Sequence, residues 1–181
     1  MLLTPEKQHY YMGIAFAVRK RANCVGRKVG ALLVVENRII STGYNGTPEG
    51  LTNCNDGGCH RCANRESYQS SVGYDVCICV HAEQNTLLSA ARFGIAVSGA
   101  ATFTTLKPCF GCAKELFQAN VRTLYYLEDW SYPGRELQEQ YTELLGRFQV
   151  VHVKMADPEA EWAKGRGTTP SSVDDLGHQQ L

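Results

Sequence analysis

Two short segments constrain this chain more than anything else in it: His81-Ala82-Glu83 and, further along, Pro108-Cys109-Phe110-Gly111-Cys112. Both read as helix starts, with a strand between them. Cys109 and Cys112 stand at i and i+3, so at the opening of a helix their sulfurs share one face. The positive end of that helix favours the thiolate over the thiol. His81 adds a neutral ring nitrogen. One imidazole and two thiolates suit zinc, and three protein ligands leave its fourth tetrahedral position to water, as in a catalytic rather than a closed site. Zinc lowers the pKa of such a water to about 7. Glu83 is two residues from His81, which on an ideal helix turns the two side chains about 200° apart. That separation is no obstacle, because a carboxylate serving as proton shuttle must reach the water and not the metal. The plainer reading is a closed cysteine-rich zinc site with Glu83 solvating a helix start. Two complete motifs at helix starts weigh against it, where a lone tripeptide would not.

The rest of the chain supplies a frame for these helices. Residues 5–22 carry Tyr11, Ile14, Ala15, Val18 and Ala22 at helical spacing, with Thr4 as N-cap and Pro5 at the first helical position. A continuous apolar run over 29–35 predicts a strand buried on both faces. A second strand over 38–42 follows the Glu36-Asn37 turn, as an antiparallel hairpin. Residues 43–79 show no period and hold five of the eight cysteines; a loop of that length is usually functional or cross-linked. From His81 a helix resumes with Gln84, Leu87, Leu88 and Ala91 on one face, and Gly94 can end it. Then come a strand over 100–105, a helix from Pro108 through Ala119, a strand over 122–127, a helix striped by Leu137, Tyr141, Leu144 and Leu145, and a strand over 148–153. The alternation predicts an α/β domain, a three-layer α/β/α sandwich on a five-stranded mixed sheet. We expect one domain over 1–156 and a tail over 157–181, where Gly, Thr, Ser, Pro and Asp dominate from Gly165 onward.

Composition narrows the setting. Lysines plus arginines and aspartates plus glutamates number 18 each in 181 residues, so no overall field recruits a nucleic acid, and none is expected as partner. The longest early apolar stretch, 12–18, is too short to span a membrane and has the wrong flanks for a secretory leader, so no membrane partner and a cytoplasmic location are expected. Eight cysteines in a reducing compartment point to metal or to nucleophiles rather than disulfides.

The segments Val29-Gly30-Ala31, Thr42-Gly43-Tyr44-Asn45-Gly46-Thr47-Pro48, His81-Ala82-Glu83-Gln84-Asn85 and Pro108-Cys109-Phe110-Gly111-Cys112 resemble those of the deoxycytidylate deaminases, over roughly residues 8–153. H-x-E followed by P-C-x-x-C is the general zinc deaminase signature; the loop from Gly43 and the Gln84-Asn85 pair narrow it to this branch. The resemblance implies a cytidine deaminase-like fold and hydrolysis of dCMP to dUMP and ammonia, supplying dUMP for thymidylate synthesis. His81, Cys109 and Cys112 would hold the catalytic zinc, and Glu83 would shuttle protons around a zinc-activated hydroxide. The backbone of Ala82 would bond the pyrimidine ring and Asn45 the sugar. Asn45 also reads as a turn residue in left-handed geometry ahead of Gly46, an alternative compatible with the sugar contact. Arg27, Lys28 and Arg92 are candidates for the phosphate, although a solvated surface charge is the more frequent reading for any one of them. Trp130 stands where relatives carry tyrosine and lacks the phenolic hydroxyl. The resemblance also implies a homohexamer activated by dCTP and inhibited by dTTP, with the loop from Gly43 as the place for an effector contact.

Six cysteines remain. Cys59-His60-Arg61-Cys62 is a C-x-x-C knuckle and Cys77-x-Cys79 precedes the catalytic helix, which points to a second, structural zinc that staples the long loop. Some relatives bind such an ion from positions matching Cys24, Cys54 and Cys79. Cys59, His60, Cys62 and Cys77 compete for the fourth place, with Cys62 favoured. A local set of Cys59, Cys62, Cys77 and Cys79 is the rival, and six reduced thiols without metal the plain alternative. For function, the rivals are deaminases of dCTP, CMP, cytidine, guanine or a tRNA adenosine, and, outside enzymes, a zinc-stapled binding module.

Overall fold

The computed structural model of the protein describes residues 2–68 and 76–165. Helix α1 (Pro5–Arg19) is followed by the hairpin β1 (Gly30–Val35) and β2 (Arg38–Tyr44). A short helix α2 (His60–Ala63) lies in the long loop, and then come α3 (Ala82–Arg92), β3 (Ala101–Leu106), α4 (Phe110–Gln118), β4 (Thr123–Glu128), α5 (Arg135–Leu145), β5 (Gln149–His152) and α6 (Ala160–Ala163). The strands form one mixed sheet in the order β2-β1-β3-β4-β5, antiparallel from β2 to β3 and parallel from β3 to β5. The three-layer, five-stranded arrangement expected from the alternation of elements is therefore the one observed.

Strand alternation sorts the core into two layers. Leu32, Val34, Phe103, Tyr125 and Leu127 face α1, where Met12, Ala15 and Phe16 cover them. Leu33, Leu124 and Ala100 face the other way, onto Leu116 of α4 with Phe148. Glu36 and Asn37 both have positive φ, 48° and 62°, the two-residue hairpin geometry whose twist matches that of the strands.

Two faces differ from the periodicity reading. On α1 the buried set is Tyr11, Met12, Ala15, Phe16 and Arg19, rotated from the expected stripe because Arg19 is itself buried. Its guanidinium is fully inaccessible and clasps Asp157 through two bonds of 2.6 and 2.5 Å. On α3 the buried face is Ala82, Glu83, Thr86 and Ala90, while Leu88 is exposed. Small residues win there because α3 lies directly on β2: a Cβ at Gly43 would sit 2.3 Å from the Ala82 carbonyl oxygen and 2.6 Å from the Thr86 nitrogen. Ser41 Oγ donates to the Thr86 carbonyl (2.7 Å) and Asn85 Nδ2 to the Tyr44 carbonyl (2.7 Å), fixing the approach.

Beyond residue 156 the chain continues against the domain as far as Gly165. Asp157 holds Arg19, the Lys28 backbone N–H donates to the Ala163 carbonyl (2.8 Å), and Arg65 Nη1 donates to the Gly165 carbonyl (3.2 Å). The rest of the expected tail, 166–181, lies outside the described residues.

Candidate active site

His81 is not the first helical residue but the N-cap of α3, with extended backbone (φ −74°, ψ 158°). Cys109 is likewise the N-cap of α4 (φ −72°, ψ 169°), and Pro108 precedes the cap instead of opening the helix. The ideal-helix separation of His81 and Glu83 therefore does not apply: one is extended and the other helical, and both turn into the same site. Cys109 Sγ accepts the Cys112 N–H at 3.5 Å, as a side-chain cap does. His81 Nδ1 stands 3.5 Å from Cys109 Sγ and 3.4 Å from Cys112 Sγ, and the three donor atoms all lie within 4.8 Å of one another. One nitrogen and two sulfurs so gathered form a donor set that fits zinc, with one tetrahedral position left over.

The electrostatics of the donors favour that role. The hydrogen bond with Cys112 brings the Cys109 thiol down to about 4 against the effect of burial, with His81 helping. Cys112, the donor to that thiolate and itself buried, is held high. The thiolate beside His81 raises the imidazole to about 9, more than burial lowers it. A metal ion must displace these protons, so its binding is coupled to pH.

Glu83 is buried, and burial pushes its carboxyl up, opposed by the charge of His81. Thr104, on the β3 face that looks at α3, approaches Glu83 Oε1 at 3.0 Å and the Leu106 carbonyl also at 3.0 Å. A hydroxyl has a single proton, so it serves one acceptor at a time. Thr104 went unnoticed in the sequence, where the only sign is a polar residue inside a buried strand. Gln84 braces the two motifs: its Oε1 accepts the His81 N–H (3.0 Å) and its Nε2 donates to Glu115 of α4 (3.0 Å). Tyr141, seen in sequence only as part of an apolar stripe, is buried and donates to the Pro108 carbonyl, while the Tyr132 hydroxyl accepts the Phe110 N–H (2.8 Å). Aromatic side chains thus buttress the loop that carries Cys109.

The remaining candidates are distributed around this centre. Ala82 is buried at the first position of α3, where the helix leaves its N–H unbonded. Asn45 is buried and not left-handed; its Oδ1 accepts the Val29 N–H (2.8 Å) and its Nδ2 donates to the Arg27 carbonyl (2.7 Å), leaving one N–H and one lone pair. The turn-residue alternative for Asn45 is therefore not the one adopted. Arg27 is paired with Glu128 at the end of β4. Lys28 points to the cysteine cluster, donating to the carbonyls of Ala22 (3.0 Å) and Cys24 (3.4 Å). Arg92 pairs with exposed Glu49 at the far end of α3, about 16 Å from His81 at 1.5 Å per residue. Trp130 Nε1 donates to the Lys107 carbonyl (2.6 Å), and its ring meets Tyr132 edge-on.

Comparison with known proteins shows which family the chain resembles. The family model for the cytidine and deoxycytidylate deaminase zinc-binding region matches residues 5–128. The chain belongs to this family. A deoxycytidylate deaminase of Schizosaccharomyces pombe is 42% identical over 122 residues, which are 67% of this chain and 37% of that protein. The match to its Saccharomyces cerevisiae counterpart, 37% identical, covers 71% of this chain and 40% of that protein, so the chain spans well under half the length of these yeast relatives. Among deaminases of the family with a solved structure, dCMP deaminase of the cyanophage S-TIM5, in complex with dCMP and dUMP, aligns with a TM-score of 0.66 at 29% identity. That alignment covers 83% of this chain and 99% of the phage protein. In this chain the loop from Gly43 and the Gln84-Asn85 pair touch each other, through the bond from Asn85 to the Tyr44 carbonyl.

Proposed function

We propose that this chain hydrolyses dCMP to dUMP and ammonia, with His81, Cys109 and Cys112 holding zinc and Glu83 moving the protons. The observation that carries the reading is the convergence of a buried carboxylate, Glu83, on a three-donor set at two helix starts. When bound, zinc supplies the Lewis acidity that brings the pKa of water to about 7. Glu83 accepts one proton from the attacking water and passes it to the ring nitrogen beside the reacting carbon. It then carries the second to the amine, which leaves as ammonia while oxygen takes its place on that carbon. Burial serves this duty because it makes the carboxyl a better proton acceptor than an exposed one. Thr104 orients Oε1, and the Ala82 N–H is the donor for the ring. Asn45 and Arg27, at the β1 end beside the site, are assigned to the sugar and the phosphate rim. dCMP as substrate is supported by the relatives named above. A further zinc in the cysteine cluster staples the loop between β2 and α3.

The test is ammonia release from dCMP, CMP, deoxycytidine, dCTP and guanine, with and without dCTP as effector and dTTP as inhibitor. Turnover of dCMP is expected, and its absence under every condition overturns the reading. Glu83→Gln keeps the shape and loses the proton; a fall of about 10²–10⁴-fold in kcat with unchanged zinc content is expected.

A further inference from the structure

The cysteines left over by the catalytic set come from separate stretches of chain and meet in one buried knot. Their sulfurs fall into two groups of four, Cys24, Cys54, Cys62 and Cys79, and Cys59, Cys62, Cys77 and Cys79. Within each group every sulfur lies within 4.8 Å of the others. Cys62 and Cys79 belong to both. The two groupings that compete in the sequence are thus present together, sharing an edge.

Distances suit metal better than disulfides. Thiolates around a tetrahedral ion at about 2.3 Å stand about 3.8 Å from one another. Cys24 and Cys62 are 3.9 Å apart and Cys59 and Cys77 3.7 Å, and all six are free, whereas a disulfide requires about 2.05 Å. The sulfurs are also dressed as ligands are: the Val25 N–H donates to Cys54 Sγ (3.4 Å), and the N–H groups of Cys62 and Ile78 donate to Cys59.

We propose that this knot is a binuclear zinc–thiolate centre in which Cys62 and Cys79 bridge two ions, Cys24 and Cys54 complete one, and Cys59 and Cys77 complete the other. Two four-coordinate ions sharing two ligands take six donors, which is the number gathered here. A single ion in the first group accounts for four sulfurs but gives no reason for Cys59 and Cys77 to close on the same two. Each thiol surrenders its proton to water on binding, and six thiolates on two divalent ions leave two negative charges. Half-buried Lys28, over the Trp162 ring at 5.2 Å, and Arg65, bonded to the Val25 carbonyl at 3.0 Å, supply cations beside them. The centre joins the end of α1 to the long loop and to the strand-like stretch that delivers His81, since Gly46 and Val80 pair through both backbone bonds next to Cys79.

The inference rests on the proposal that the cluster binds metal at all, and one measurement separates the two. The full chain, repleted with zinc and dialysed, is assayed by elemental analysis against amino-acid content. Three zinc ions per chain are expected. Two leave a mononuclear staple and overturn the binuclear centre; one overturns both. Cys77→Ser and Cys59→Ser, each a ligand to one ion only, are expected to lose one zinc, and retention of three in both overturns the assignment. X-ray absorption of the unmodified protein needs no variant to fold: a short zinc–zinc distance is expected, and its absence refutes the shared edge.

Discussion

Replacing Gly43 by alanine tests how closely α3 must lie on β2. The added Cβ would meet the Ala82 carbonyl oxygen at 2.3 Å and the Thr86 nitrogen at 2.6 Å, both backbone atoms of the helix that carries Glu83. Real Cβ contacts stop near 3.0 Å, so α3 must retreat by at least about 0.7 Å, and no flexible side chain can yield in its place. Overpacking of this kind costs about 1–3 kcal/mol, and the rigid opponent places Gly43→Ala near the top of that range. At about 2–4 °C per kcal/mol for a chain of this size, the melting temperature should fall by roughly 6–12 °C. The same retreat moves Glu83 away from Thr104 and from the Cys109 side of the site. Misplacement approaching 1 Å can cost of order 10²-fold in rate, so kcat for dCMP should drop far more than the residual folded fraction explains. Gly13→Ala is the control: nothing beyond its chain neighbours and its own helix backbone lies within 4 Å of the added Cβ in the middle of α1, and alanine should stabilise by about 0.5–1 kcal/mol. Thermal and urea denaturation followed by circular dichroism, with ammonia release measured at 25 °C, read stability and rate. A Gly43→Ala protein with the melting temperature and kcat of the wild type would refute the close-approach argument.

Other outcomes follow from single contacts. Asp157→Ala strands the fully buried Arg19 guanidinium, with Glu159 at 3.8 Å as partial replacement, so a loss of about 3 kcal/mol is expected in urea titrations. Burial raises the Asp157 carboxyl, but its bonds to Arg19 and the Glu159 N–H outweigh that and hold it below 3.8 in the folded protein. Its stabilisation is therefore complete above that value and drains away as pH falls below it, so the Asp157→Ala deficit should shrink in acid; a constant deficit down to pH 2 contradicts the assignment. Thr104→Val keeps the strand and removes the donor to Glu83, and a loss of about 10-fold in kcat/KM with an altered pH–rate profile is expected. Stripping metal with a chelator should lower the melting temperature of Glu83→Gln as much as that of the wild type, because metal held by the cysteine cluster, as proposed, would staple the loop independently of turnover.

Local physics made much of this protein legible in its sequence. The order of elements, the hairpin at Glu36-Asn37, the helix starts to within a residue or two of His81 and Cys109 and the candidate donor types all follow from periodicity, capping and side-chain chemistry within a few residues. What lay beyond that reach depends on contacts between distant segments. Helical periodicity put Leu88 on the buried face of α3, but the approach to Gly43 selected Ala82, Glu83, Thr86 and Ala90. The turn of His81 toward Glu83 comes from the extended backbone of an N-cap, which no helical wheel describes. Arg19 lies outside the apolar stripe of the first helix, and its burial depends on Asp157, 138 residues on. The local cysteine set was visible as spacing and its rival only through the resemblance to relatives, yet folding brings the two together on Cys62 and Cys79. Spacing along the chain names the donors a segment offers, and the tertiary structure alone settles which donors share one point in space.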